Sequence, residues 1–244
     1  MQHTDTIAAP PGDASQGGLA VVIGGSGGIG AALVAQLQRE GGYSQVLALS
    51  RRSTPTLDVT DEASIAAWAA RLADSGLPLR LLVIASGVLH GPGMQPEKSL
   101  AALDAAALAQ LFAVNATGPA MVMKHLLPLM PKQGRAVCAA LSARVGSIGD
   151  NQLGGWYAYR ASKAALNQLV HTAAIELRRL RPQALCVALH PGTVDTGLSA
   201  PFAKTGLDVR GPAEAAAQLL AVLDGLTPQD SGGFYDYRGE PVPW

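Results

Sequence analysis

The chain has 244 residues, of which 48% are hydrophobic and 15% are charged, so it can bury a large core and is not a disordered chain. Its 18 basic and 18 acidic side chains leave no net charge, which provides no general attraction to nucleic acid or to an anionic membrane surface. The two cysteines, Cys138 and Cys186, lie inside apolar runs, which argues against disulfides or a zinc site and favours the cytoplasm. We predict one soluble domain over residues 19–244.

Residues 1–18 contain proline, glycine and polar side chains, without the basic and apolar segments of a signal peptide. This composition predicts a flexible N-terminal arm. The apolar runs elsewhere are too short for a membrane span, so we expect no membrane partner.

From Leu19 onward, short apolar runs alternate with longer amphipathic stretches. The runs are typical of strands buried on both faces, and the stretches have helical spacing. This alternation predicts an α/β chain with a Rossmann-like, doubly wound parallel sheet and helices on both faces. The predicted strands are Leu19–Ile23, Gln45–Leu49, Leu79–Ala85, Ala136–Leu141, Ala184–Leu189 and Phe234–Tyr237, and the predicted helices are Ile29–Glu40, Asp61–Asp74, Asp104–Met130, Tyr157–Leu180 and Pro212–Asp224.

The connection after the second predicted strand is unusually short. Only residues 50–57 precede Asp58, too few for a crossover helix. Either a very short strand lies at residues 56–58, or a loop replaces it.

A glycine-rich turn joins the first strand to the first helix. Glycine allows a dinucleotide pyrophosphate to approach the backbone and the free amides of the helix N-terminus. Three spacings fit: Gly25-x-Gly27-x-x-Gly30, Gly24-x-x-Gly27-x-x-Gly30 and Gly24-x-x-x-Gly28-x-Gly30. The turn predicts a dinucleotide site, but the spacing alone does not select the type.

The second strand ends in Ser50-Arg51-Arg52. An acidic residue near this point binds the ribose 2′-OH of NAD, whereas two guanidinium groups suit the 2′-phosphate of NADP. This favours NADP, with NAD possible. The alternative is that both arginines are solvated loop residues.

Tyr159 and Lys163 are one helical turn apart, on the face that also carries Leu166 and Val170. A phenol has an ordinary pKa near 10, and a neighbouring cation lowers that pKa by favouring the phenolate. Such a tyrosine can protonate an alkoxide formed by hydride delivery, or deprotonate an alcohol. The pair is therefore a candidate acid/base centre.

The order of these motifs resembles the short-chain dehydrogenase/reductase family over nearly the whole chain from Leu19. The stretches Leu141–Ile148 and Gly155–Lys163 are similar to its C-factor-like subgroup. The resemblance selects the spacing Gly24-x-x-x-Gly28-x-Gly30. The landmarks fall in family order: Asp58-Val59, Ser86-Gly87, Val114-Asn115, Ser142, Tyr159-x-x-x-Lys163 and Pro191-Gly192-Thr193-Val194-Asp195-Thr196.

The resemblance implies a role for each matching residue. Tyr159 is the acid/base, Lys163 lowers the tyrosine pKa and binds the nicotinamide ribose, and Asn115 reaches Lys163 through a water. Val194 and Thr196 hold the nicotinamide carboxamide. The implied cofactor-binding set is Gly24, Ser26, Gly28, Ile29, Gly30, Ser50, Arg51, Arg52, Asp58, Val59, Ser86, Gly87, Lys163, Pro191, Gly192, Val194 and Thr196, and no metal ligand is expected.

The serine that orients the substrate oxygen departs from the family pattern, which is Ser-Ser-x-x-Gly. If Gly146 is the anchor, Ala143 occupies the usual serine position. We predict that Ser142 takes this role, because carbonyl-binding groups lie at the carboxyl ends of parallel strands. Ser147 is the alternative.

Together these features predict an NADP-preferring oxidoreductase that moves hydride between nicotinamide and a small carbonyl or alcohol substrate. The predicted pocket walls are Leu89, His90, Leu153 and Trp156, with residues 196–210 as a mobile lid. The long helices and the family resemblance predict a homodimer or homotetramer. A second hypothesis is a dinucleotide-binding regulatory or signalling protein with little turnover.

Overall fold

The computed structural model describes residues 17–199 and 209–244. The strands in this part are β1 (Leu19–Ile23), β2 (Gln45–Leu49), β3 (Leu79–Ile84), β4 (Ala136–Leu141), β5 (Ala184–His190), β6 (Thr193–Val194), β7 (Val209–Arg210) and β8 (Phe234–Asp236). The α-helices are α1 (Gly28–Glu40), α2 (Glu62–Asp74), α3 (Ala105–Phe112), α4 (Gly118–Leu126), α5 (Tyr157–Leu180) and α6 (Pro212–Gly225).

The main sheet has the strand order β2-β1-β3-β4-β5-β8, and all its pairs are parallel. Neighbouring residues of β1 are buried on opposite sides. Val21 packs in the core that contains Leu166 of α5, whereas Val22 packs in the core that contains Leu219 of α6. Helices therefore cover both faces, which confirms the predicted doubly wound Rossmann architecture.

One detail of the predicted sheet is wrong, and the structure decides between the two alternatives at another. β2 is an edge strand with partly exposed side chains, not a strand buried on both faces. No further strand lies at residues 56–58 in this described part of the chain. A loop replaces it, because Leu57 is buried in the core and Trp68 Nε1 donates to the Pro55 carbonyl at 3.1 Å, which fixes the connection without sheet pairing.

The predicted helix Asp104–Met130 is composite. α3 and α4 are joined by a π-helical turn, Ala113–Thr117, which contains Asn115. Within the described residues, the run Ala105–Leu129 has the length and hydropathy that could cross a membrane, contrary to our expectation that no segment comes near. Val122 and Leu126 are fully buried against the sheet, which is typical of a core helix.

Most of the predicted arm and lid lies outside the described residues. At the end of the arm, the Gly17 amide donates to the Gly42 carbonyl at 2.9 Å, so Gly17 and Gly18 belong to the fold. At the end of the lid, β7 pairs in parallel with β6. These lid residues form a strand, because their backbone groups have sheet partners.

Candidate active site

The glycine turn connects β1 to α1 as predicted. Gly24 has a φ of 81°, a conformation that favours glycine, and the Gly27 amide donates to the Gly24 carbonyl at 3.0 Å. A Cβ at Gly28 would lie 2.7 Å from Thr196 Cγ2, and one at Gly30 would overlap the Gly24 carbonyl oxygen. The turn is thus packed too tightly for side chains, and it leads directly into the first turn of α1.

A cavity of about 840 Å³ lies over the carboxyl ends of β1, β2 and β3. This is the place where open parallel sheets bind nucleotides. Nine predicted cofactor-binding residues line it: Gly24, Ser26, Ser50, Arg51, Arg52, Asp58, Val59, Ser86 and Gly87.

Arg51 and Arg52 are exposed at the wall of this cavity. The Arg52 amide donates to Ser50 Oγ at 3.1 Å, which shapes the turn after β2. Asp58 Oδ1 accepts from the Thr60 amide at 2.9 Å and from its hydroxyl at 2.7 Å, and these bonds lower the Asp58 pKa. The carboxylate of Asp58 therefore shapes the cavity edge, while the two guanidinium groups supply its positive charge.

Ser86 provides a direct test of whether the cavity fits a dinucleotide. Its hydroxyl is buried and has no hydrogen-bond partner within residues 17–199 and 209–244, although a buried hydroxyl normally has one. Its amide lies beside Gly24 of the phosphate-binding turn. A cavity with a glycine turn, two arginines and an unsatisfied hydroxyl fits a phosphorylated dinucleotide.

The predicted nicotinamide loop follows β5. Pro191 and Gly192 precede β6, which contains Val194, and the Thr196 methyl lies close to Gly28. Ile29 lies beside them in the first turn of α1 and packs against the core on the α6 side. The loop and the glycine turn thus meet, although residues 191–196 do not line the 840 Å³ cavity.

Tyr159 and Lys163 lie in the first two turns of α5, and both are buried. Lys163 Nζ lies 5.9 Å from the centre of the Tyr159 ring and donates to the Leu141 carbonyl at 2.8 Å. Leu141 is the last residue of β4, so this bond ties the ammonium to the carboxyl edge of the sheet. The pair therefore lies at the edge where the dinucleotide cavity opens.

The prediction that Lys163 lowers the Tyr159 pKa is wrong for the chain by itself. Burial raises the pKa of the phenol, because the anion loses its hydration. Burial also lowers the Lys163 pKa to about 8. Burial is the cause of both shifts, and the phenol stays neutral at pH 7.

Asn115 is fully buried, and its amide group makes three hydrogen bonds to the protein. Its Oδ1 accepts from the Val88 amide at 2.8 Å, while its Nδ2 donates to the Val88 carbonyl at 2.8 Å and to Ser162 Oγ at 3.1 Å. A Cβ at Gly87 would lie 3.5 Å from Asn115 Oδ1 and 3.6 Å from Lys163 Nζ. Asn115 and Lys163 therefore flank Gly87, and Asn115 fixes the backbone that follows β3.

The two candidate serines direct their hydroxyls into the protein. Ser142 Oγ donates to Asn167 Oδ1 at 2.6 Å, and Asn167 Nδ2 donates to the Gly146 carbonyl at 3.3 Å. Ser147 Oγ accepts from the Asp150 amide at 3.0 Å. Ala143, by contrast, packs against the apolar cluster that contains Tyr159. The proton of Ser142 is committed to Asn167, and its substrate role stays a prediction.

Two of the predicted pocket walls lie near Tyr159. Leu89 belongs to the apolar cluster around Tyr159, and the Trp156 ring meets the Tyr159 ring edge to face at 6.2 Å. His90 Nε2 lies 3.0 Å from the Gly197 carbonyl, at the start of the predicted lid. Leu153 is 92% exposed, so it does not form a wall of the described structure.

Sequence reasoning missed several cavity residues. Thr60 and Gln110 line the cavity beside Asp58 and Val114. Met94 joins the cluster around Tyr159 from an irregular segment with no motif. Of these residues, only Thr60 could have been found from the sequence, because it lies two residues after Asp58. The described residues contain no group of three His, Cys, Asp or Glu side chains suited to a metal.

Comparisons with known proteins agree with this geometry. The family described as short chain dehydrogenase matches residues 18–206. C-signal of Myxococcus xanthus is 40% identical over 148 residues, covering 60% of this chain and 84% of that protein. The 1-hydroxy-2-glutathionyl-2-methyl-3-butene dehydrogenase of Rhodococcus sp. (strain AD45) is 34% identical over 190 residues, covering 78% and 79%. NADPH-bound carbonyl reductase from chicken fatty liver superposes with a TM-score of 0.79 at 26% identity, covering 92% and 98%.

The parallel sheet, the glycine turn and the tyrosine–lysine pair define a Rossmann-fold oxidoreductase that binds NADP(H). The chain belongs to the short-chain dehydrogenase/reductase family and to its C-factor-like subgroup. This confirms the family resemblance and the predicted NADP(H) cofactor. The family acts on small carbonyl or alcohol compounds.

Proposed function

We propose that this protein reduces a carbonyl compound with NADPH and that Tyr159 is the general acid. The observation that carries the proposal is the Tyr159–Lys163 pair, which is buried at the carboxyl end of β4. Bound NADPH supplies a hydride to the carbonyl carbon. Tyr159 donates its phenolic proton to the oxygen, and the product is an alcohol.

The protonation state of Tyr159 favours the reductive direction. A phenol with its ordinary pKa near 10 is neutral at pH 7, and burial raises this pKa further, so Tyr159 can donate a proton without prior activation. Oxidation of an alcohol needs the phenolate, which forms only at higher pH. Lys163 remains largely protonated at pH 7, since its pKa is about 8. Its cation can bind a ribose hydroxyl and stabilise the tyrosinate that forms during turnover.

A preference for NADPH over NADH is supported by Arg51 and Arg52. Both guanidinium groups line the cavity, and neither forms an ion pair with an acidic side chain in the described ranges 17–199 and 209–244. They are available for a 2′-phosphate, a charge-assisted contact. The NADPH complex of the chicken reductase supports the same assignment.

The surroundings of Tyr159 favour a lipophilic carbonyl substrate. Leu89, Met94 and Leu111 form the apolar cluster beside the phenol, and Val145 and Trp156 pack against it. Such a lining binds apolar groups by removing their surface from water.

The test is a screen of NADPH oxidation with a panel of aldehydes and ketones. Tyr159→Phe should lose on the order of 10²–10⁴-fold in turnover, because only the proton donor is removed, while NADPH affinity should stay within about twofold. Tyr157→Phe is the matched control, since Tyr157 starts the same helix but is 38% exposed. A fully active Tyr159→Phe variant would refute the assigned role.

A second candidate function is a dinucleotide-binding signalling protein with little turnover. Ala143 favours it, because an alanine at the apolar cluster of Tyr159 cannot donate to a substrate oxygen. The similarity to C-signal also supports it. Ala143→Ser separates the two candidates. If both the wild-type protein and Ala143→Ser bind NADPH but turn over no compound of a broad carbonyl panel, the signalling function is favoured.

Assembly into a homodimer or homotetramer is supported by a groove of about 260 Å³ between α4 and α5. Leu169 and Leu180 line it and are 36% and 58% exposed. A second copy of the chain would remove these leucines from water. Sedimentation at micromolar concentration tests the assembly, and a monomer would contradict it.

A further inference from the structure

The helix that contains Tyr159 has no cap of its own. Trp156 precedes α5 in the left-handed conformation, with φ 55° and ψ 41°, and its side chain makes no capping hydrogen bond. The first turn also contains no acidic residue. Because the first amides of a helix have no partner within it, they need acceptors from elsewhere.

Glu97 supplies these acceptors from a distant part of the chain. Its Oε2 accepts from the Ala158 amide at 3.3 Å, and its main-chain carbonyl accepts from the Trp156 amide at 2.6 Å. The residue is only 6% exposed, so these bonds form in a dry environment. A carboxylate at this place also interacts favourably with the positive end of the 24-residue helix.

The segment that ends at Glu97 also forms the site. Gly87 lies beside Lys163, and Leu89 and Met94 pack in the cluster with Ala158 and Tyr159. Residues 87–97 therefore contact the first two turns of α5 at several points. Glu97 is the point at which this segment is hydrogen-bonded to the backbone next to Tyr159.

We infer that Glu97 is a positioning residue, which holds the first turn of α5 so that the Tyr159 hydroxyl meets the substrate oxygen. The inference rests on the proposed function of Tyr159. Glu97 does not line the dinucleotide cavity, and it acts through the Ala158 and Trp156 amides. Small displacements of a reacting group produce large rate losses, so weakening this contact lowers turnover more than it lowers affinity.

The experiment compares Glu97→Ala, Glu97→Gln and Asp104→Ala with the wild-type protein. Gln keeps an acceptor oxygen but removes the charge, whereas Ala removes both. Asp104→Ala is the matched control: its carboxylate caps α3 through the Ala107 amide at 2.8 Å, seven residues after Glu97. We measure kcat and KM for the best carbonyl compound, the NADPH Kd, the thermal midpoint, and amide hydrogen exchange of residues 157–163.

For Glu97→Ala we expect kcat to fall on the order of 10–100-fold, with KM and NADPH Kd within about threefold. Glu97→Gln should recover most of this loss, while Asp104→Ala should lower the thermal midpoint without lowering kcat. Exchange of the Ala158 and Tyr159 amides should accelerate only in the Glu97 variants. If Glu97→Ala does not fold, Glu97→Gln is the deciding variant. The inference then predicts a kcat below that of wild type, by less than the loss expected for Glu97→Ala, and faster amide exchange at Ala158 and Tyr159.

Two results overturn the inference. One is a kcat of Glu97→Ala equal to that of wild type or of Asp104→Ala, and the other is unchanged exchange at Ala158 and Tyr159 in this variant. A wild-type protein without turnover refutes the proposed function instead. In that case the exchange data still decide whether Glu97 holds the helix.

Discussion

Replacement of Lys163 by methionine should make the protein more stable and less active. Lys163 is only 3% exposed, and burial lowers its pKa from 10.5 to about 8. At 1.36 kcal/mol per pH unit, this difference corresponds to about 3 kcal/mol of cost for the charged form at pH 7. Methionine keeps an apolar stem of similar length and removes that cost.

The substitution also removes the hydrogen bond from Nζ to the Leu141 carbonyl. Leaving a buried acceptor without a partner costs about 1–3 kcal/mol. The net gain at pH 7 is therefore up to about 2 kcal/mol, or up to roughly 8 °C in Tm for a chain of this size. Turnover should fall on the order of 10²-fold or more, because the cation beside Tyr159 is lost.

The stability gain should depend on pH in a defined direction. Between about pH 8 and 10.5 the unfolded wild-type chain binds more protons at Lys163 than the folded chain, since the folded pKa is the lower one. Wild-type stability therefore rises with pH across this window, and the advantage of Lys163→Met shrinks.

Denaturant unfolding at pH 7 and pH 10 measures both effects. The control is Lys124→Met, because the Lys124 side chain is 59% exposed and pairs with Glu62 at 2.6 Å. This variant should gain no stability. A Lys163→Met protein less stable than wild type at pH 7, or a gain that does not shrink at pH 10, would refute the reasoning.

Three further predictions concern the cofactor, the serines and the assembly. Replacing Arg51 and Arg52 together by alanine should lower the affinity for NADPH on the order of 10–100-fold, because charge-assisted contacts are lost, and leave the affinity for NADH nearly unchanged. Fluorescence titration of both cofactors checks this, and equal losses of affinity would contradict it. A serine that donates to the substrate oxygen loses about 10²–10³-fold in turnover on truncation. We predict that Ser142 turns its proton from Asn167 to the substrate oxygen, so Ser142→Ala should show this loss and Ser147→Ala should not. Steady-state kinetics with saturating NADPH decides, and a loss only in Ser147→Ala would move the role to that residue. Leu169→Glu should place a charge in the groove between α4 and α5 and shift any oligomer to monomer in sedimentation. An unchanged oligomer would show that this groove is not the contact surface between subunits.

The sequence by itself determined the architecture and the pairing of Tyr159 with Lys163. Strand and helix alternate because short continuous apolar runs form buried strands, whereas longer stretches with a period near 3.6 form helices. The bounds of β1, β2, β4 and α5 coincide with the predicted runs. Tyr159 and Lys163 could be paired because i,i+4 neighbours share a helix face whatever the rest of the fold does.

Only the tertiary structure decided what surrounds these groups. The partner of Ser142 is Asn167, 25 residues away, and the partner of the Ala158 amide is Glu97, 61 residues away. No local pattern encodes such contacts, because they depend on how α5 packs on the sheet.

The pKa values illustrate the same division. The sequence placed a cation beside the phenol and predicted a lowered Tyr159 pKa, but it could not say how deeply the pair is buried. The fold removes both groups from water, and desolvation then raises the phenol pKa and lowers that of Lys163. The residue types follow from local sequence, whereas their protonation follows from burial, which is a property of the packed molecule.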